Sequence, residues 1–453
     1  MRAIEQLNHE GGGNFQGGFF RRHGFMVCGI LFMAGNHLLH AYYGEMHVDE
    51  GYYHLVPSLV AGGRLPYLDF LWVQPPLYPL VYGTAQHLIG SSLLAGRLLT
   101  AAFGFLAVVL AVAAARRRGR TAAKVCIGLL CFNSFQAYYL TIMKLYGLTC
   151  VLISAAAFFL MLPYRRMFHV ATALCLALAT VTRITVLPGL VCYLAMLYLD
   201  SRYRRHALAC TLATAAVITV LVAPLYFLAP QQTMFGLYDY HLLKESFTLS
   251  RQVVHKLDNL VELSRCWFPG MLLSILALGS LCLHPRRTIT RLRPPYSPTA
   301  MLAVITSAIV AIHMTSQVAY IYRYLVIILP PVSILLGSWV QTRPSPSGSL
   351  RSVATSAFIV CCVFQVAAQG VTFLGPFMNG GPIRYLGQVA AEVAAVTPED
   401  KPILTLNNSV AVEAGRRVLK GDEMNVLTYD PAWDEERCRQ QHVLNLQMLL
   451  NAV

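Results

Sequence analysis

The sequence predicts a polytopic α-helical membrane protein of about eleven transmembrane helices, with a small α/β domain at its C-terminal end. Three observations predict it. Apolar residues make up 56% of the chain and charged residues only 12%, with a mean hydropathy of +0.54, which is more apolar than a soluble core requires. Apolar stretches close to the roughly 17–25 residues that cross a bilayer recur along the chain. Arginine clusters punctuate them, as inner loops do.

Residues 1–24 include NHEGGGNFQGG. This run neither follows a strand pattern nor carries the Lys-Ser/Thr of a phosphate loop, so a flexible cytoplasmic tail is expected. Spans are expected near 25–43, 94–115, 122–141, 147–162, 167–182, 184–199, 207–228, 267–284, 300–319, 322–340 and 351–375. Residues 25–375 therefore form the membrane domain, and two of its outer connections, 44–93 and 229–266, are too long to be simple turns. In the first, Glu50–Ala61 and Leu77–Ile89 read as helices on either side of GGRLPYLDF. Tyr42, Tyr43, Tyr52, Tyr53, Tyr67, Trp72 and Tyr78 suit a position along the membrane surface. In residues 376–453, PILTL and NVLTYDP read as strands, while SVAVEAGRRVL and the last twenty residues read as helices. That makes a small extracytoplasmic α/β domain, marginal alone and expected to lean on the membrane part.

Charge supports this topology. With the N-terminus inside, 19 of the 35 Lys and Arg but only three of the 21 acids fall on inner segments. The net charge of +14 is thus a topology signal. A nucleic-acid partner would need the bases gathered on one face, whereas they are scattered over the inner segments. Ten of the twelve cysteines fall within the expected spans, so no disulfide framework or CxxC metal motif follows.

Against that background the adjacent carboxylates Asp49 and Glu50, in HVDEGYYHLVP just past the first span, need a reason. A carboxylate there serves as a general base toward an acceptor hydroxyl. Equally, Asp49 suits the N-cap of the helix that follows, with Glu50 favourable in its first turn. His47, Glu50 and His54 share a helical spacing and form a weak metal-ligand trio; otherwise no cofactor is expected. Lys144, Arg183 and Arg323 fall at outer span boundaries, where a cation either binds an anion or snorkels to the interface. Arg64 and Asp69 flank the GGRLPYLDF turn, with Tyr67 and Gln74 beside them. These four are candidates for sugar or acceptor binding, though a loop ion pair accounts for Arg64 and Asp69 as well.

The run DEGYYHLVPSLVAGGRLPYLDF, followed by QPPLYPLVYG and RLLTAAFGFLAVVLAVAAARR, resembles the membrane glycosyltransferases of the C-type fold. It is most similar to the branch of the protein O-mannosyltransferases and the lipid A aminoarabinose transferase. AYIYRYLVIILPPVSILLG resembles that family's late span, which begins with Arg-Tyr and carries Pro-Pro. The resemblance implies inverting transfer of a sugar from a polyprenyl-phosphate carrier to an acceptor on the outer face. The acceptor would be a lipid, polysaccharide or protein, and the setting a bacterial inner membrane. It implies a catalytic role for Asp49, with Glu50 orienting it or binding the acceptor. The cations Lys144, Arg183 and Arg323 would then meet the carrier phosphate. One departure stands out: the aminoarabinose branch has a lysine just before Pro-Pro where this chain has Gln74. A lipid or polysaccharide transporter also has many spans, but favours internal repeats and a midplane site. A non-catalytic scaffold leaves the carboxylates and boundary cations without a shared purpose.

Overall fold

The computed structural model describes residues 14–243, 249–283, 294–315, 321–343, 356–367, 377–378 and 380–452. Its membrane part is built from α1 (Asn14–Tyr43), α4 (Leu93–Arg118), α5 (Arg120–Cys131), α6 (Ser134–Tyr139), α7 (Leu145–Leu160), α8 (Arg166–Thr180), α9 (Leu187–Leu199) and α10 (Arg204–Leu228). Then follow α11 (Leu249–Cys266), α12 (Phe268–Leu283), α13 (Pro298–Thr315) and α14 (Leu329–Gln341). Between α1 and α4 lie α2 (Glu50–Ala61) and α3 (Leu77–Ile89), with the bounds the sequence predicts.

Local chemistry sets the ends of these helices. Ser92 starts α4 by accepting the Ala95 N–H on its side chain, satisfying a donor that the first turn leaves open. Arg116–Arg118 fill its last turn, where the helix dipole favours cations. Helix α7 lies between α4 and α8, and the crossing with α4 requires a small residue. A Cβ on Gly147 would stand 2.7 Å from Thr100 Cγ2, so glycine there permits the close backbone approach that apolar side chains alone do not drive in lipid.

Among the described residues, five helices are long and apolar enough to cross a membrane, or six if the pair 250–266 and 268–283, bent by 116°, is one span. Four more apolar helices are shorter: Leu145–Leu160, Arg166–Thr180, Ile184–Leu199 and Ser356–Ala367. At 1.5 Å rise a 15-residue helix reaches only about 22 Å, less than the roughly 30 Å hydrocarbon core. The expected span 122–141 is two helices, because Asn133 breaks the run and caps α6 through its own side chain. The expected span 322–340 begins with a short helix and a 3-10 turn before α14, whose first turn holds Pro330 and Pro331. Of 351–375, only 356–367 lies within the described residues. Helix α1 already begins at Asn14, inside the stretch expected to be a flexible tail; residues 1–13 lie outside the described part.

Helix α2 is covered by protein over its first two turns: Glu50 through Pro57 are all buried. What covers it is the C-terminal tail, whose helix Asn408–Glu413 packs on α2. A Cβ on Gly51 would meet the Asn408 nitrogen at 2.8 Å. Leu55, Ala411 and Val418 form a small core there. Glu413 accepts the Leu93 N–H at 2.6 Å, and Arg64 pairs with Glu423 at 3.1 Å. The tail differs in detail from its sequence pattern. Its sheet is two parallel two-residue strands, Pro402–Ile403 and Arg417–Val418. NVLT is a 3-10 turn (Asn425–Thr428) and the end forms two helices, Glu435–Gln441 and Leu446–Ala452. A further helix, Pro382–Val396, precedes the first strand. Short, partly paired segments hold here because they bury their apolar side chains on the first long connection, not in a core of their own.

Candidate active site

The connections α1–α2, α6–α7 and α8–α9 and the short helix Ile321–Tyr324 before α14 come together at one end of the bundle; Arg97 of α4 reaches the same end, and Arg116–Arg118 close the other end of that helix. Four charged side chains predicted from sequence meet there. Lys144 Nζ donates to Asp49 Oδ2 at 2.6 Å and lies 3.3 Å from His47 Nδ1. Arg323 Nη1 is 3.2 Å from His47 Nε2. Arg183 lies across Tyr324, its guanidinium carbon 4.5 Å from the ring centroid, and 5.4 Å from that of Tyr146. Lys144 sits 5.4 Å from the same Tyr146 ring. Tyrosines 53, 139, 146 and 324 thus line a site with three cations and one reachable carboxylate.

The Asp49 side chain is 40% exposed, whereas that of Lys144 is only 5% exposed. Asp49 occupies the N-cap of α2 but makes no side-chain capping bond; its carboxylate is committed to Lys144. Burial pushes the Asp49 carboxyl up, yet the facing Lys144, aided by His47 and Arg323, outweighs that and holds it below its ordinary value. Burial lowers the Lys144 ammonium, and Asp49 only partly offsets it. His47 is held down to about 4, first by burial and then by Lys144, so the imidazole is neutral at neutral pH.

Glu50 takes a different place from its neighbour. Its side chain is completely buried and forks onto Arg97, Oε2 accepting from Nη2 at 2.6 Å and Oε1 from Nε at 2.7 Å. The same oxygens accept the N–H groups of Met143 and His47. Arg97 also donates to the carbonyls of Gly44 and Glu45. This pair ties the end of α1, the start of α2 and the Met143–Lys144 turn into one unit, placing Asp49 opposite Lys144. Arg97 was missed from sequence, although an arginine inside an apolar span must find a partner. Tyr139, Tyr146 and Tyr324 were missed as well; for Tyr146 and Tyr324 the signal lay in KLYG and YIYRY, where each cation has an aromatic neighbour.

The metal trio does not assemble. His47 precedes the helix and turns to Lys144 and Arg323, Glu50 is spent on Arg97, and His54 Nε2 meets the Ser91 carbonyl at 2.5 Å. Among the described residues no three His, Cys, Asp or Glu side chains gather as metal ligands. Nor do Arg64 and Asp69 form a mutual ion pair. Asp69 Oδ2 accepts the Leu65 N–H at 2.6 Å, and Arg64 donates to the Asp69 carbonyl and to Glu423. Tyr67 is fully buried at φ +69° and donates to the Gln74 carbonyl. These residues fix the loop that carries the tail. A cavity of about 650 Å³ opens elsewhere, between Tyr226, Phe235 and Asp239 and the tail residue Arg437, and shares no residue with the cation cluster.

No protein-family model matches the chain, and no curated protein sequence does. Solved structures are similar in fold. ArnT from Cupriavidus metallidurans, solved bound to undecaprenyl phosphate, superposes with a TM-score of 0.60 at 16% identity, over 93% of this chain and 88% of that one. Its apo form gives 0.59 at 15% identity, over 94% and 89%. The Archaeoglobus fulgidus oligosaccharyltransferase, solved in complex with Zn and sulfate, gives 0.54 at 11% identity, over 87% of this chain and 62% of that one. At such identities the likeness is one of fold, and the chain has the fold of the C-type membrane glycosyltransferases.

Proposed function

We propose that this protein transfers a sugar from a polyprenyl-phosphate carrier to an acceptor hydroxyl at the outer face of the membrane, with inversion at the anomeric carbon. The observation that carries this reading is the meeting of Asp49 with Lys144, Arg183 and Arg323 at one end of the bundle. Three cations around one carboxylate leave positive charge for a phosphate, and Arg183 is nine-tenths buried on tyrosine faces, where an uncompensated charge is costly.

The carrier phosphate is the leaving group. It is bound by Arg183, Arg323 and Lys144, and its arrival draws Lys144 away from Asp49. The freed carboxylate takes the proton of the acceptor O–H. The acceptor oxygen bonds to the anomeric carbon on the face opposite the phosphate, the carbon–oxygen bond to phosphate breaks, and its electron pair stays on phosphate. Charge developing on the phosphate meets fixed cations, which is where electrostatic catalysis gains most. Glu50 holds the Asp49 turn in place. The acceptor is a lipid, polysaccharide or protein hydroxyl, and the N-terminus lies in the cytoplasm with the tail outside, as in a bacterial inner membrane.

Radiolabelled transfer by the purified protein, run across polyprenyl-phosphate sugars, tests this. Asp49→Asn keeps the volume of the side chain and is expected to bind carrier yet transfer roughly 10²- to 10⁴-fold more slowly, the range of general-base loss. Transfer at the wild-type rate by Asp49→Asn overturns the base assignment. Side chains carry every proposed step, so transfer is expected to persist in EDTA; loss in chelator with recovery on Mn²⁺ assigns a metal instead.

A further inference from the structure

His47 has three donors around a ring that offers one lone pair when neutral. Its Nδ1 accepts the Asp49 backbone N–H at 3.1 Å, and Lys144 Nζ approaches the same atom at 3.3 Å. Both neighbours donate, and the acceptor on this side, Asp49 Oδ2, stands 3.7 Å from Nδ1, beyond hydrogen-bond reach, so Nδ1 is the unprotonated nitrogen and Nε2 carries the hydrogen. Yet Nε2 lies 3.2 Å from Arg323 Nη1, a guanidinium nitrogen that only donates. Two N–H groups therefore face one another across a distance suited to a hydrogen bond that neither can accept. Protonating the ring does not relieve this, because it removes the acceptor at Nδ1 as well; the low pKa of about 4 agrees with a neutral ring. The ring is held where it is: its side chain is 8% exposed, it meets Tyr139 edge-on, and its own backbone N–H is fixed by Glu50.

We infer that His47 Nε2–H and Arg323 together bind one anionic oxygen of the carrier phosphate, making His47 a fourth member of the phosphate cradle. An acceptor oxygen placed between the two donors turns the mismatch into two charge-assisted bonds. The inference rests on the donor reading above and assigns the histidine within it. It also gives His47 two tasks on two atoms: Nδ1 holds the backbone of the proposed base, and Nε2 holds the leaving group.

The test is binding of a polyprenyl monophosphate to the purified, detergent-solubilised full chain. His47→Asn retains a polar group near Nδ1 and loses the donor at Nε2; its dissociation constant is expected to rise about ten- to hundredfold, as for a lost hydrogen bond to a charged group. His47→Gln carries an amide N–H out to the Nε2 position and is expected to stay within about threefold of wild type on the same grounds. In wild-type protein with ¹⁵N-labelled histidine, the Nε2–H resonance is expected before ligand and should move when ligand is added. His47→Asn binding as wild type, while Arg323→Ala is weakened, overturns the histidine assignment and leaves the donor reading standing. Equal losses in the Asn and Gln variants, or an Nδ1–H tautomer, also overturn it. Unchanged binding in Arg323→Ala as well as His47→Asn removes the donor reading itself.

Discussion

Lys144 Nζ lies 2.6 Å from the Asp49 oxygen Oδ2, although 95 residues separate them in the chain. The pair spans two connections at the same end of the bundle and holds the proposed base in its least basic form. A carboxylate kept ionised by an ammonium is a poor proton acceptor until the ammonium is drawn off. In the proposed reaction the substrate's own phosphate does that, so the base is released only when a leaving group is in place.

The pH profile tests this coupling. Lys144 keeps the Asp49 carboxyl below its ordinary value, so protonation disables the base only at low pH. In Lys144→Gln that restraint is gone and the carboxyl moves up. The acid limb of kcat/KM is therefore expected at higher pH than in wild type, together with weaker carrier binding. An unmoved acid limb assigns it to another group.

Arg183 stacks on Tyr324, donates to Thr185 from Nε and shares a side-chain hydrogen bond with Tyr146; its remaining donors are proposed to meet the carrier phosphate. Arg183→Ala is expected to weaken carrier binding by about tenfold or more. Arg183→Lys should restore only part, because an ammonium lacks the planar fork and stacks less well. Carrier titrations of both variants check this; full rescue by lysine reduces the requirement to charge alone.

The Glu50–Arg97 pair is fully buried, and breaking one side leaves a charge without a partner. Arg97→Met is expected to cost about 3–5 kcal/mol, as for other buried pairs cut on one side. The double change Arg97→Met with Glu50→Leu should recover most of that. Melting in detergent gives both values, and a double variant no more stable than the single one means the pair's hydrogen bonds to the backbone matter more than its charge.

Topology is checked by labelling with an impermeant thiol reagent. Cysteines at exposed Gly62 and Glu436 are expected to react from outside the cell, and one at exposed Arg117 only after the membrane is opened. The unmodified chain, with exposed Cys28 and Cys282, sets the background. Reaction of the residue-117 cysteine in sealed cells reverses the proposed orientation and moves the site to the cytoplasmic face.

Much of this was legible in one dimension. Composition and the spacing of apolar runs fixed a helical membrane protein, because lipid leaves the backbone few other choices. The helices Glu50–Ala61 and Leu77–Ile89 followed from local pattern alone, since their ends are set by nearby residues. Asp49, Lys144, Arg183 and Arg323 stood out because a charge at a span boundary is expensive and rare.

The pairing of those charges was not legible. Asp49 and Glu50 are neighbours with the same chemistry, and only the family resemblance singled out Asp49 as the base. Successive side chains on a helix diverge by about 100°, so the fold sends one to the open site beside Lys144 and the other to Arg97 in the core. His47 looked like a metal ligand by spacing, but its ring is placed by Tyr139, Lys144 and Arg323, which come from distant turns. The tail was expected to lean on the membrane part, but its contacts were not legible: Ala411 of its helix and Val418 of its second strand meet Leu55 of α2. Apolar periodicity is a property of one segment and is written there. Which carboxylate meets which cation depends on how several segments pack, and only the tertiary structure decides it.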